Sequence, residues 1–336
     1  MHHLFYHANC ADGFAAACIA RHALLARGIP DAQITCTPVN YTDASVIPDD
    51  FTCFTDDHII YLDFTPPQDQ LDHLVAHLAG WNGTVKLTII DHHEKAAPLH
   101  GYAKHAEHNI WEHIATPFFE SVFRFTQSGA GLTWSHFFPD TPPPLALILI
   151  EHRDLGHAFQ QPDNPVSADA LNLNAYLFRC IPRSFEAWTT LLFSESPLLP
   201  VLNAGARLRT ADTCIIASAV NACHWLDFSS LDLSALCPPP SALSRIPAVN
   251  GLSAGLISDA CTALLKAYPA APFAASWFIH PTTGHAVYSL RSRKEGHPDG
   301  HVNVSTIAAA CTPGGGGHPC AAGFSTHSLI PFASAS

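Results

Sequence analysis

The run Thr88-Ile89-Ile90-Asp91-His92-His93 constrains this chain more than any other stretch. Val85 to Ile90 is short, apolar and rich in β-branched residues, the pattern of a strand buried on both faces of a parallel sheet. It ends in one acid and two imidazoles. Ligands of open α/β sheets bind outside the carboxyl ends of the strands, so these three side chains stand where chemistry gathers. Carboxylate together with imidazole suits Mn²⁺, Fe²⁺ or Zn²⁺. A polar loop after a strand has the same look, and the chain's 23 histidines make a chance triplet easier. The triplet therefore needs support from elsewhere in the chain.

That support comes from other strand ends. Leu4-Phe5-Tyr6 reads as a first strand, followed by His7-Ala8-Asn9-Cys10-Ala11-Asp12-Gly13 and an Ala-rich helix from Phe14 to Leu25. Ile34 to Val39 reads as a second strand. Ile59 to Leu62 is a third and runs into Asp63, after which Pro66 and Pro67 open a helix through Gln68 to Leu78. Singly, His7 is explained as a structural histidine, and Asp12 and Asp63 as N-caps. Together they are harder to dismiss, because three strands deliver His or Asp to one edge. Pro117 to Phe125 reads as a helix, Ser128 to Gly131 as a break, and Leu132 to Phe138 as helix again. The apolar run Leu145 to Ile150 leads into Glu151-His152-Arg153-Asp154, which makes Asp154 a fourth candidate acid. His100, His105, His108 and His113 lie in an irregular stretch, Glu94 to Ile114, without ligand spacing, and read as solvated loop.

Helices are expected at Phe185 to Phe193 and Leu202 to Ala222, and Cys237-Pro238-Pro239-Pro240-Ser241-Ala242 reads as a stiff linker. Beyond it come a helix at Ser258 to Lys266, strands at Ala274 to Ile279 and Ala286 to Leu290, then Arg291. A last helix, Val304 to Cys311, leads into Gly314-Gly315-Gly316-Gly317-His318-Pro319-Cys320-Ala321-Ala322-Gly323-Phe324. The glycines permit positive φ and close backbone approach, and their N–H groups can form an anion-binding nest. Arg291 can offer a planar fork to a phosphate.

At 336 residues and 48% hydrophobic the chain has the length for two domains and the apolar content for a sizeable core. Its net charge of −12, with only 13% charged residues, argues against a long track for polymeric nucleic acid. Short anionic substrates stay admissible, because bound divalent cations reverse the local field. The 11 cysteines include no Cys-x-x-Cys pair, and no secretory leader or bilayer-spanning run is visible. Reduced thiols in a cytoplasmic protein are the expectation.

In combination these motifs resemble the DHH phosphoesterase superfamily, whose two-domain members include nanoRNases, bisphosphonucleotide phosphatases and RecJ-type exonucleases. The resemblance spans most of the chain. It rests on His7…Asp12-Gly13, Leu62-Asp63, Asp91-His92-His93, Arg153-Asp154 and the distant Gly-Gly-Gly-Gly-His-Pro-Cys-Ala-Ala-Gly-Phe segment. It implies an α/β fold: an N-terminal mostly parallel sheet flanked by helices, and a smaller C-terminal α+β domain. The expected division is a catalytic domain over 1–190, a helical connector and Pro-rich linker over 191–245, and a substrate-binding domain over 246–336, with the cleft between the two domains as the active site.

The resemblance also implies roles. Two Mn²⁺ ions, or Mg²⁺ or another divalent metal, would share Asp63. His7 would belong to the first, and Asp12, His92 and Asp154 to the second. Asp91 would orient an imidazole ligand, and His93 would face the scissile phosphate. Arg291, Gly315, Gly316, Gly317 and His318 would grip a phosphate or nucleotide. The implied reaction is two-metal in-line hydrolysis of phosphoester bonds in short oligonucleotides or small nucleotides, as an exonuclease or oligoribonuclease performs it. One departure stands out. The family pattern puts an acid two residues before Asp12, where this chain has Cys10. Asn9, Cys10 or a water could replace that ligand, or the first metal could be weak or missing. A nucleotide-binding or regulatory protein with a degenerate metal site, or an inorganic pyrophosphatase, are the alternatives. Oligomeric state is left open.

Overall fold

A computed structural model describes residues 1–8, 10–40, 56–79, 85–93, 96, 112–115, 119–161, 163–181, 183–194, 197–229, 243–293 and 302–333. The chain divides into two compact units, Met1–Leu208 and Arg209–Ser336. Asn9, the stretch carrying His100, His105 and His108, and the Pro-rich segment 237–242 lie outside the described residues, whereas His113, read from the sequence as loop, sits in a short strand opposite Val122.

In the first unit the elements run β1 (His2–His7), α1 (Ala11–Ala26), β2 (Ile34–Val39), β3 (His58–Leu62), α2 (Gln68–Ala79), β4 (Lys86–Asp91), β5 (Glu112–Ala115), β6 (Phe119–Phe123), α3 (Gly129–Phe137), α4 (Leu145–Asp154), α5 (His157–Gln160), α6 (Pro165–Arg179) and α7 (Phe185–Phe193). They form one sheet of order β2-β1-β3-β4-β6-β5. All neighbours are parallel except β5, which pairs antiparallel with β6. Both faces are covered, which explains the uninterrupted apolar runs. Leu4, Ile60, Leu62 and Ile90 pack on one side with Phe14, Leu132, Leu147 and Trp188. Phe5, Ile59, Tyr61 and Ile89 pack on the other with Leu71 and Leu74. Strand alternation assigns adjacent residues to opposite cores.

The register fixes the functional edge. Tyr6 sits opposite Leu62, and Leu62 opposite Ile90, so His7, Asp63 and Asp91 leave three neighbouring strands side by side. The strand order reverses at β1, the kind of switch point at which open sheets bind ligands. Pro117 to Phe125 is a correction to the sequence reading: its middle is β6, a strand, not a helix. Ser121, Val122 and Phe123 are buried there between β4 and β5. Sheet packing overrides a local pattern that is short and ambiguous.

Helix α8 (Leu199–Asn221) runs through the boundary at Leu208. The second unit continues with β7 (His224–Leu226), β8 (Ile246–Asn250), α9 (Ala254–Ala267), β9 (Phe273–Ile279), β10 (Ala286–Ser292), α10 (Val304–Cys311), β11 (Gly316–His318) and β12 (Ala321–Thr326). Its mixed sheet has the order β11-β12-β10-β9-β8-β7, with only β8 and β9 parallel. One face buries Phe273, Tyr288, Leu290, Ile307 and Phe324. The other packs Val249 and Ala274 on Ile257, Ala260 and Leu264 of α9. Arg293 donates to the carbonyls of Leu265, Tyr268 and Ala271, holding the end of α9. Among the described residues no helix is long and apolar enough to cross a membrane.

Candidate metal centre

Each candidate ligand in the first unit sits at the end of an element. His7 closes β1, Asp63 follows β3, Asp91 closes β4 with His92 and His93 next, and Asp154 closes α4. Asp12 lies in the first turn of α1. Gly13 lets that turn meet the strand end: a Cβ there would fall 2.4 Å from the His7 carbonyl oxygen. Asp63 has φ = 54°, in the left-handed region that few non-glycine residues adopt. Its N–H is held by the carbonyl of Ile90 at 2.8 Å. Backbone strain of this kind collects at functional sites.

Within the first unit two groups of donors converge. His7, Asp63 and His93 each place a ligand atom within 4.8 Å of the others, and so do Asp12, His92 and Asp154. Asp63 links them. Its Oδ2 lies 3.5 Å from His7 Nδ1, and its Oδ1 lies 3.2 Å from His92 Nε2 and 3.8 Å from His93 Nδ1. His92 Nε2 is also 3.4 Å from Asp154 Oδ2. Asp12 Oδ1, both carboxylate oxygens of Asp63 and Asp154 Oδ2 are buried without a hydrogen bond. Buried carboxylate oxygens are normally hydrogen-bonded or hold a metal. A cation therefore fits this donor set, and its mixed oxygen and imidazole chemistry suits a borderline divalent ion.

Asp91 is different. It is fully buried, and both of its carboxylate oxygens are hydrogen-bonded by neighbouring residues. Its Oδ1 accepts from the backbone N–H groups of His92 (2.7 Å) and His93 (3.2 Å) and lies 2.7 Å from His93 Nδ1, while Thr65 donates to Oδ2 at 2.5 Å. Such a carboxylate fixes an imidazole's orientation and tautomer.

The buried acids and imidazoles of the centre shift one another's proton affinity. Burial, then the charges of Asp63 and Asp154, raises Asp12 well above the ordinary carboxylate range, and burial likewise raises Asp154. Burial would lift Asp63 too, but His7 and His92 override it and hold the acid ionised. Burial also works against the charged form of His92. Asp63, Asp154 and Asp12 prevail and raise it to about 10. Asp91 is held at about 2, burial being outweighed by His93. Cys10, the N-cap residue of α1, makes no side-chain capping bond. Burial and the surrounding carboxylates push its thiol well up.

Sequence reasoning passed over the first turn of α3. Ala130 N–H donates to Asp12 Oδ2 at 3.2 Å, and a Cβ on Gly129 would fall 2.5 Å from Asp63 Cβ. Ser128 caps the helix through Gly131 N–H at 3.2 Å. Glu151 accepts Ser128 N–H at 3.0 Å, and its Oε2 fills the space a Cβ on Gly131 would need. The signal was present in two glycines crowded into a helix start, and in Glu151 lying one turn before Asp154 on the same helix face.

The remaining candidates lie in the second unit. Arg291 donates from Nε to Ser258 Oγ at 3.0 Å and from Nη1 to the Leu290 carbonyl at 2.8 Å. Gly316, Gly317 and His318 pair with Gly323, Ala322 and Ala321 as a tight hairpin. The glycines allow close packing there. A Cβ on Gly315 would meet the Ala308 carbonyl at 1.9 Å, and Gly317 has φ = 142°.

No family model matches the sequence. An uncharacterized protein of Acanthamoeba polyphaga mimivirus is 24% identical over 343 aligned positions, which cover 98% of this chain and 69% of that protein. Among solved structures, the DHH domain of an s1p-family ribosomal protein superposes with a TM-score of 0.53 at 12% identity, over 96% of this chain and 82% of that one. The chain has a DHH-type fold. CDC45 from Entamoeba histolytica shares it, with a TM-score of 0.50 at 9% identity over 97% and 92% of the two chains. Within the DHH-type fold found here, the Asp91-His92-His93 triplet stands at the carboxyl end of β4, between the Asp63 and β6 strands.

Proposed function

We propose that this chain is a divalent-metal-dependent phosphoesterase of the DHH superfamily, acting on phosphoester bonds of short oligonucleotides or small nucleotides. The observation that carries the reading is Asp63, whose two buried carboxylate oxygens lack hydrogen bonds and lie between the two donor groups. In this reading Asp63 would help to hold both of two ions, Mn²⁺ being the favoured pair. His7 belongs to the first, and Asp12, His92 and Asp154 to the second. Ions bound there supply Lewis-acid stabilisation of phosphoryl charge and lower the pKa of water. Asp91 keeps the His93 ring in place. Ala130 N–H and Gly129 keep Asp12 and Asp63 in place from the side of α3. Arg291, Gly315, Gly316, Gly317 and His318 hold the phosphate or base end of the substrate.

Small nucleotides are favoured over polymers by the charge balance, since a chain of net charge −12 has little with which to follow a long phosphate backbone. The test is turnover by the purified full chain with Mn²⁺, Mg²⁺ or Zn²⁺ against RNA and DNA dinucleotides, a 3′,5′-bisphosphonucleotide and pyrophosphate. Asp63→Asn and His92→Ala run alongside. Hydrolysis of a nucleotide that both variants lose supports the reading. Hydrolysis of pyrophosphate alone, or tight nucleotide binding without turnover in any metal, refutes it.

A further inference from the structure

At Cys10 this chain lacks the acid that the resemblance implies for the first ion. His7 and Asp63 supply two donors, and catalytic metal sites are commonly held by three protein ligands. Among the described residues of the first unit, neither converging donor group includes Cys10, whereas the one that holds His7 and Asp63 includes His93. The His93 ring meets the His7 ring edge-on, with centroids 5.4 Å apart. His93 Nδ1 lies 2.7 Å from Asp91 Oδ1, which commits that nitrogen to the carboxylate.

We propose that His93 is the third protein ligand of the first metal, in place of the acid that Cys10 replaces. This rests on the two-metal reading above and changes one role within it: His93 binds the ion instead of facing the scissile phosphate. The argument is one of capacity. An imidazole has two ring nitrogens. Donation of the Nδ1 hydrogen to Asp91 leaves Nε2 as the lone-pair atom, which can serve a metal or a phosphate but not both. Asp91 then supports a metal-bound imidazole, the carboxylate–histidine–metal arrangement that fixes the tautomer and strengthens the donor. Exchanging a carboxylate for an imidazole also softens the site. It moves the site's preference from Mg²⁺ toward Mn²⁺, Fe²⁺ or Zn²⁺.

The experiment counts ions rather than turnover. Full-length wild type, His93→Ala and His93→Gln are equilibrated with Mn²⁺, and bound metal per chain is measured by dialysis and titration calorimetry. Circular dichroism checks folding, and the Gln variant keeps a side chain able to bond Asp91 if the Ala variant fails to fold. Wild type is expected to bind two ions and each His93 variant one. Adding Cys10→Asp to the His93 variant is expected to restore the second ion. Two ions bound by a folded His93 variant with wild-type affinity overturn the inference and leave the two-metal reading intact. One ion or none in wild type refutes that reading, and the inference with it.

Discussion

At the scale of single residues the centre is held as much by backbone as by side chains. Glu151 shows how. Its carboxylate satisfies Ser128 N–H and lies flush on Gly131. Glu151→Ala leaves that donor unmet and should cost about 1–3 kcal/mol, read as a lower urea midpoint. Glu151→Gln, whose carbonyl still accepts the bond, should recover most of it. Equal losses in the two variants would show that charge, not the hydrogen bond, matters at 151. Gly129→Ala tests the facing contact. A methyl 2.5 Å from Asp63 Cβ must displace one of the two. About 1–3 kcal/mol of overpacking is expected, with weaker Mn²⁺ binding in calorimetry. Wild-type affinity would mean that α3 does not set the position of Asp63.

At the scale of elements, β3 and β4 carry a polar feature at the end away from the metal centre. His58 lies in register with Lys86, and its Nε2 is 2.8 Å from Thr88 Oγ1. Burial, helped by the Lys86 charge, lowers His58 from 6.5 to about 3. The unfolded chain therefore takes up this proton near pH 6.5 and the folded chain only near pH 3. Stability falls as pH drops through that window, by an amount on the order of several kcal/mol at its acid end. His58→Gln should flatten the dependence of the urea midpoint between pH 7 and pH 4.5, and a slope unchanged from wild type would remove His58 as its source.

The same strands show what the sequence made legible. β1, β3 and β4 are apolar runs that stop at His7, Asp63 and Asp91, so periodicity and its interruption located the sheet and the edge at which the candidate residues stand. β6 escaped because its five residues carry no clear period, and its parallel partner β4 lies well upstream in sequence. The α3 contacts escaped because they are made by an amide and by missing side chains, neither of which a residue pattern displays. Glu151 passed as one more polar residue beside Asp154.

At the scale of the whole chain, each unit has its own buried clusters. Leu290, fully buried in the second sheet, and the proposed ligands His7 to Asp154 therefore belong to different cores. Leu290→Ala should cost about 2–5 kcal/mol in the second unit. Saturating Mn²⁺, at about a hundred times its dissociation constant, should stabilise the first unit by about 2.7 kcal/mol for each ion bound. Calorimetry should show two transitions, one moved by the mutation and the other by the ion. A single transition moved by both would show that the cores melt together.

The parallel order of the first sheet also has a consequence in time. Ligands drawn from β1, α1, β3, the turn after β4 and α4 cannot meet until Asp154 has been synthesised and the non-local strand pairs have closed. At ordinary rates of synthesis that is about 10–30 s after His7 emerges from the ribosome. Small zinc modules wait for an ion before they fold. Here the group formed by Asp12, His92 and Asp154 is complete only once Asp154 has joined it, so a nascent chain short of Asp154 would lack that second site while His7, Asp63 and His93 are already made.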